Sequence, residues 1–304
     1  MSFSVLIEKI EKLRNPSVVG LDPDVSYIPG LIKEKHLGLH GDTLKAAAEA
    51  INEYCRGLIG ALYDVVPAVK FQSAFFECAG YEGIRVLEEL AVYAKETGMY
   101  VILDAKRGDI GSTVQAYASA YLGKRKLLSG NEIKTLPDCL TVNPYLGGDG
   151  IAPFVKECEN NGKSIFVLAK TSNESSADIQ DKIVGGKLLY IHVAELIEKW
   201  GANLINEYGY SDVGAVVGAT YPEQLNEVRK TFKKMFLLVP GYGAQGGMAK
   251  DAAYAFDKGM KGAVVNSSRG IMCAYKKHGD ENNYASYARK AALEMRDELT
   301  ANIN

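Results

Sequence analysis

Eight short runs rich in β-branched and other apolar residues alternate with stretches of helical period, and no other feature constrains the fold as much. The runs lie at residues 18–22, 65–71, 100–106, 139–143, 164–170, 213–220, 235–241 and 262–268. Their centres are almost continuously apolar, as expected of strands covered on both faces. The stretches between them are amphipathic. After Asp42, one helical face is marked by Leu44, Ala47, Ala48, Ile51, Leu58, Ile59 and Leu62, and the next helix repeats the pattern with Ile84, Leu87, Ala91 and Ala94. Thr220 and Glu223 have the spacing of a capping box and open a helix carrying Leu225, Val228 and Phe232. A last helix over 284–299 keeps its stripe through Tyr287, Ala291 and Met295. Eight strands with interleaved helices in 304 residues, with no Pro/Ser-rich linker, predict a single-domain α/β protein. The expected form is a (β/α)8 TIM barrel spanning residues 1–304, with an N-terminal helix and a long insert around 170–186. A doubly wound sheet is the alternative, because strand count alone does not close a barrel.

Composition narrows the class of partner. The formal charge is 35 − 37 = −2, without the basic excess of a nucleic-acid platform. No apolar run approaches the roughly 18 residues that a membrane span needs. Cys55, Cys78, Cys139, Cys158 and Cys273 are odd in number and form no CxxC pair, which predicts free thiols in a reducing compartment. The expectation is a soluble cytoplasmic protein with no nucleic-acid or membrane partner.

Chemistry-bearing residues gather at the C-terminal ends of the predicted strands, the end where barrel enzymes build their sites. The densest cluster is DAKRGDI at 104–110. Residues two apart on a strand share a face, so Asp104 and Lys106 point the same way, with Asp109 just beyond. Carboxylates on either side of an ammonium hold it protonated. Such a lysine is poorly suited to Schiff-base chemistry and well suited to stabilising a carbanion and protonating it. The same pattern also fits a solvated loop with ordinary ion pairs.

A second signal suits phosphate. PGYGAQGG (240–247) follows the seventh run and NSSRG (266–270) the eighth, where barrels often bind phosphate through backbone N–H groups. Arg269 would add a charge-assisted contact and Gln245 a side-chain amide. The plain alternative is a tight turn that needs glycine. Lys70 ends the second run, where a buried charge needs a partner, and Asp22 can serve as that partner or accept from a sugar hydroxyl. The four histidines lie outside these clusters, and no spacing suggests a zinc site.

Taken in chain order, GLDPD (20–24), VKFQSAFFE (69–77), DAKRGDI, TVNPYLGGDG (141–150), KTSN (170–173), PGYGAQGG and NSSRGI resemble the orotidine 5′-phosphate decarboxylase family, in its longer type 2 subfamily. The resemblance implies a homodimeric barrel that converts orotidine 5′-monophosphate to UMP in de novo pyrimidine biosynthesis, with no cofactor and no metal. It implies that Lys106 donates the proton to C6 within a network of Lys70, Asp104, Lys106 and Asp109. It also implies that Asp109, Ile110 and Thr113 reach into the neighbouring subunit's site. Asp22 would take ribose hydroxyls, Ser172 (with Thr171 adjacent) the pyrimidine, and Gln245 and Arg269 the phosphate. Glu174 stands where the family pattern has proline, which bears on the conformation of that loop. Phosphate gripping far from C6 would drive closure of a loop, the glycine-rich 241–247 segment being the natural choice.

Two other readings fit parts of the pattern. A sister barrel decarboxylase acting on a sugar-acid phosphate shares the D-x-K-x-x-D spacing, but it resembles a Mg²⁺ enzyme with a Glu ligand where this chain has Lys70, which repels a cation. A non-catalytic nucleotide-binding barrel is compatible with the fold but has no need of a charge cluster.

Overall fold

The strands form where the apolar runs predict them. The computed structural model describes residues 2–243, 246–257 and 259–303. In it β1 (Ser17–Leu21), β2 (Ala68–Gln72), β3 (Tyr100–Arg107), β4 (Cys139–Val142), β5 (Ser164–Lys170), β6 (Ser211–Val217), β7 (Met235–Val239) and β8 (Ala263–Ser267) make a closed barrel. Each strand pairs in parallel with the next, and β8 pairs back onto β1. That last ladder excludes the doubly wound alternative.

One end of the barrel is sealed. The N-terminal helix, Phe3–Leu13, buries Phe3, Leu6, Ile7 and Ile10 among inward-facing side chains such as Tyr100, Phe166 and Phe236. The Phe3 ring lies 4.6 Å from that of Phe166 and 4.8 Å from that of Phe236. Its backbone N–H donates to Asp212 Oδ1 at 2.8 Å. Burial pushes that carboxyl up to about 6. A larger apolar layer fills the space between strands and helices. With the helix plugging the N-terminal end, the C-terminal mouth is the open one.

Several local expectations are corrected. The second strand begins at Ala68 rather than Val65, because Val65 and Val66 bond back to Leu62 in a turn and Pro67 has no N–H to give a ladder. Leu44 and Ile84, placed on buried helix faces by periodicity, are 57% and 40% exposed. In the last helix, Tyr284–Asn302, the buried stripe is Ala288, Ala292, Met295 and Leu299. Tyr287 instead stacks on His278, with centroids 4.3 Å apart. The capping box at Thr220 does not form. Pro222 opens that helix, Tyr221 occupies its cap position, and Thr220 Oγ1 donates to the Ser172 carbonyl at 3.1 Å. Residues 170–186 are not wholly irregular, since they hold a 3-10 turn (Glu174–Asp178) and half of a small hairpin, Ile183–Val184 with Lys187–Leu188. A second hairpin, Lys124–Lys126 with Glu132–Lys134, has no counterpart in the sequence reading.

Candidate active site

A cavity of about 390 Å³ opens at the C-terminal mouth. It is lined from every side of the barrel: Asp22 after β1, Lys70 and Gln72 on β2, Asp104 and Lys106 on β3, Thr141 on β4, Ser172 after β5, Tyr242 after β7 and Arg269 after β8.

Asp104 is the hub. Its Oδ2 accepts from Lys70 Nζ at 2.8 Å and from Gln72 Nε2 at 3.2 Å. Its Oδ1 accepts from Lys106 Nζ at 2.7 Å and from Thr141 Oγ1 at 2.8 Å. A carboxylate has about four lone-pair positions, and here four donors from three strands fill them. Burial alone would raise the Asp104 pKa, but the two ammonium groups outweigh it and hold the carboxyl well below the usual range. Lys70 is 3% exposed. Burial would lower its pKa, yet Asp104 and Asp22 raise it above the ordinary lysine value, so it stays charged.

The bracketing expected around Lys106 belongs to Lys70 instead. Lys70 lies 2.8 Å from Asp104 and 3.8 Å from Asp22, whereas the one carboxylate paired with Lys106 among the described residues is Asp104. Asp109 accepts from the backbone N–H of Ile110 and does not line the cavity of its own chain. The pairing of Asp104 with Lys106 also arises differently from a plain pleat. The β3–β4 register shifts between Leu103 and Arg107, and Lys106 has φ 47°, in the left-handed region. Bulges of this kind re-aim side chains next to active sites.

The remaining walls come from loops. Lys170, wholly buried at the end of β5, donates to Ser176 Oγ at 3.0 Å and Asp181 Oδ1 at 2.8 Å, which pins the loop that carries Thr171–Asn173. The Thr171 hydroxyl is occupied, donating to Asn173 Oδ1 at 2.6 Å and accepting from Gln180 Nε2 at 2.8 Å. Ser172 Oγ makes no hydrogen bond among the described residues. Gly218 lets this loop approach, since a Cβ there would sit 2.8 Å from Ser172 Cα. Two acceptors near the mouth, Asp22 Oδ1 and Asn266 Oδ1, are buried without a hydrogen-bond partner. Gln245 lies outside the described residues; before it, Gly241 has φ 95° and Gly243 φ 71°. Among the described residues no group of three or more His, Cys, Asp or Glu side chains converges as a metal site.

The model of the orotidine 5′-phosphate decarboxylase / HUMPS family matches residues 52–280. The chain is 41% identical over 300 residues to an orotidine 5′-phosphate decarboxylase of Caldicellulosiruptor bescii, covering 98% of both chains. This chain belongs to the orotidine 5′-phosphate decarboxylase family. A second decarboxylase, from Rhodopirellula baltica, is 44% identical over 294 residues, covering 94% of this chain and 95% of that one. The structure of Leishmania donovani UMP synthase matches with a TM-score of 0.76 and 34% identity, over 99% of this chain and 56% of that longer one.

Of the decarboxylase residues expected from the sequence, Asp22, Lys70, Asp104, Lys106, Ser172 and Arg269 line one cavity, while Asp109, Ile110 and Thr113 do not. Thr141 and Asn266 stand at the head of the TVNPYLGGDG and NSSRG segments, but the sequence alone assigns neither a role of its own. Both are polar residues inside otherwise apolar barrel strands, a signal visible in CLTVN and AVVNS. Gln72 figures in the sequence reading only within the VKFQSAFFE segment.

Proposed function

We propose that this chain decarboxylates orotidine 5′-monophosphate to UMP, as a step of de novo pyrimidine biosynthesis, without metal or cofactor. The observation that carries this reading is the Asp104 hub: one carboxylate that holds Lys106 at the cavity mouth and buried Lys70 beside it. In the reaction the bond between C6 and its carboxyl carbon breaks, CO₂ leaves, and the electron pair stays on C6. Lys106 Nζ stabilises that pair and transfers its proton to C6. A charge already in place in a partly dry site does this without solvent reorganisation. Lys106 then regains a proton from water. Asp22, whose buried Oδ1 accepts no hydrogen bond and lies 3.8 Å from Lys70 Nζ, is suited to ribose hydroxyls, and Ser172, with its uncommitted hydroxyl, to the pyrimidine. Arg269 opens the short helix after β8 at the cavity rim and is assigned to the phosphate together with Gln245.

The active unit in this reading is a homodimer with shared sites, and the type 2 subfamily is its assignment. Asp109, Ile110 and Thr113 lie outside their own cavity, and Ile110 is 54% exposed, a placement that suits contact with a second copy. Free thiols at all five cysteines suit a cytoplasmic protein. No helix among the described residues is long and apolar enough to cross a membrane.

The test is ultraviolet-monitored decarboxylation of orotidine 5′-monophosphate in excess EDTA. Turnover that survives chelation is the expected result. An inactive protein, with UMP bound and substrate verified, would favour the non-catalytic reading instead. The phosphate assignment has its own check. Arg269→Ala is expected to weaken UMP binding by about 10–100-fold, the usual worth of charge-assisted hydrogen bonds. Uridine, which lacks the phosphate, is expected to bind parent and variant equally. Equal weakening of both ligands in calorimetry would contradict the assignment.

A further inference from the structure

We propose that Thr141 is a positioning residue for the reaction, one hydroxyl that sets both Asp104 and the backbone of Lys106. The proposal rests on the decarboxylase reading given above and concerns the same site.

Thr141 lies on β4, is 1% exposed and faces the cavity. A hydroxyl has one proton to give and two lone pairs to accept with. Here the proton goes to Asp104 Oδ1 at 2.8 Å, and the oxygen accepts the Lys106 backbone N–H at 2.9 Å. The second contact replaces a ladder bond. The β3–β4 register is broken between Leu103 and Arg107, so the Lys106 amide meets the Thr141 side chain instead of a β4 carbonyl. The ladder resumes beyond it, where the Asn143 N–H donates to the Arg107 carbonyl at 2.9 Å.

This bond holds a conformation that lysine does not favour. Lys106 has φ 47°, and non-glycine residues stay in the left-handed region only where their surroundings hold them there. Its side chain is 44% exposed, so packing contributes little to fixing it. What fixes it is the backbone bond to Thr141 and the ion pair to Asp104, and Thr141 touches both. Without the hydroxyl, the Lys106 amide loses its acceptor and Asp104 Oδ1 loses one of its two donors. The backbone is then free to relax toward extended geometry, carrying Nζ off its line to C6.

The Lys106 ammonium acts when charge develops on C6, whereas nucleotide affinity comes from the ribose and phosphate contacts on other strands. Loss of positioning should therefore fall on kcat and leave KM nearly unchanged. The experiment compares parent, Thr141→Val and Thr141→Ser in steady-state decarboxylation, with UMP binding measured on each. Val keeps the shape and removes both hydrogen bonds, and Ser keeps the hydroxyl. T141V is expected to lose about 10²-fold in kcat, the scale of a misplacement of about 1 Å. Its KM and UMP affinity should stay within about threefold, since uniform binding is untouched. T141S is expected to remain within about fivefold of the parent, because the hydroxyl makes both contacts. A T141V enzyme with parental kcat, or one altered only in KM, overturns the proposal. So does a T141S enzyme as slow as T141V, which would show that the methyl and not the hydroxyl matters. If T141V does not fold, Thr141→Ala takes its place in the same comparison. A parent inactive on orotidine 5′-monophosphate overturns the decarboxylase reading and this inference together, whereas an active parent with an unimpaired T141V overturns the inference alone.

Discussion

Lys106→Ala is expected to lower kcat by about 10⁵-fold or more while UMP still binds, because in the proposed mechanism it removes both the proton donor and the cation that faces the developing charge. The fold should tolerate the change. The side chain is 44% exposed, and when it is lost Asp104 keeps Lys70, Gln72 and Thr141 as hydrogen-bond donors. The backbone N–H at this position keeps its bond to Thr141 Oγ1 in the variant, so one of the two restraints on the left-handed backbone remains. Thermal unfolding should therefore change little, and UMP affinity should stay near that of the parent. Rapid-quench measurement of UMP formation separates this outcome from a binding defect. A Lys106→Ala enzyme within tenfold of the parent would place the proton donor elsewhere, with Lys70 the nearest other ammonium.

The second large effect is expected at Asp104, where activity and stability fall together. Asp104→Ala leaves Lys70 buried with one carboxylate, that of Asp22 at 3.8 Å, and leaves Lys106 with none among the described residues. Removing one partner of a buried ion pair typically costs about 3–5 kcal/mol. The sign of the pH dependence follows from the depressed pKa. Asp104 is held below the ordinary carboxylate range in the folded state, so its contribution is fully present above the unfolded value of about 4 and fades as pH falls toward the folded one. Denaturant melts of parent and variant should differ most near neutral pH and converge in strong acid. Turnover of Asp104→Ala should be undetectable, since Lys106 is no longer aimed. A variant with parental stability at pH 7 would show that the Asp104 hub does not carry the folding energy assigned to it.

The contrast between these two predictions reflects what the sequence shows and what it does not. The barrel was legible because burial on both strand faces demands continuous apolar runs, and those runs recur eight times in the chain. The location of the site was legible as well, because polar residues at the ends of apolar strands are conspicuous. Finer readings depended on neighbours distant in sequence. Leu44 and Ile84 match the helical period yet face solvent, since periodicity marks a face without showing what covers it. Thr220 has the spacing of a cap but is drawn to the Ser172 carbonyl, 48 residues away. The buried ammonium of Lys170 was not foreseen, because its partners Ser176 and Asp181 lie in a loop without periodicity.

The sequence by itself determined the strand–helix alternation, the mouth at which chemistry gathers, and the residue types DAKRGDI, KTSN and NSSRG that populate it. Only the tertiary structure decided that the sheet closes, that Lys70 rather than Lys106 sits between two carboxylates, and that Thr141 ties Asp104 to a left-handed Lys106. Local sequence sets which backbone shapes and side-chain chemistries are available, but a hydrogen bond between strands depends on register and closure. Those are set by packing of the whole chain, and a single break in the β3–β4 ladder is enough to re-aim a lysine.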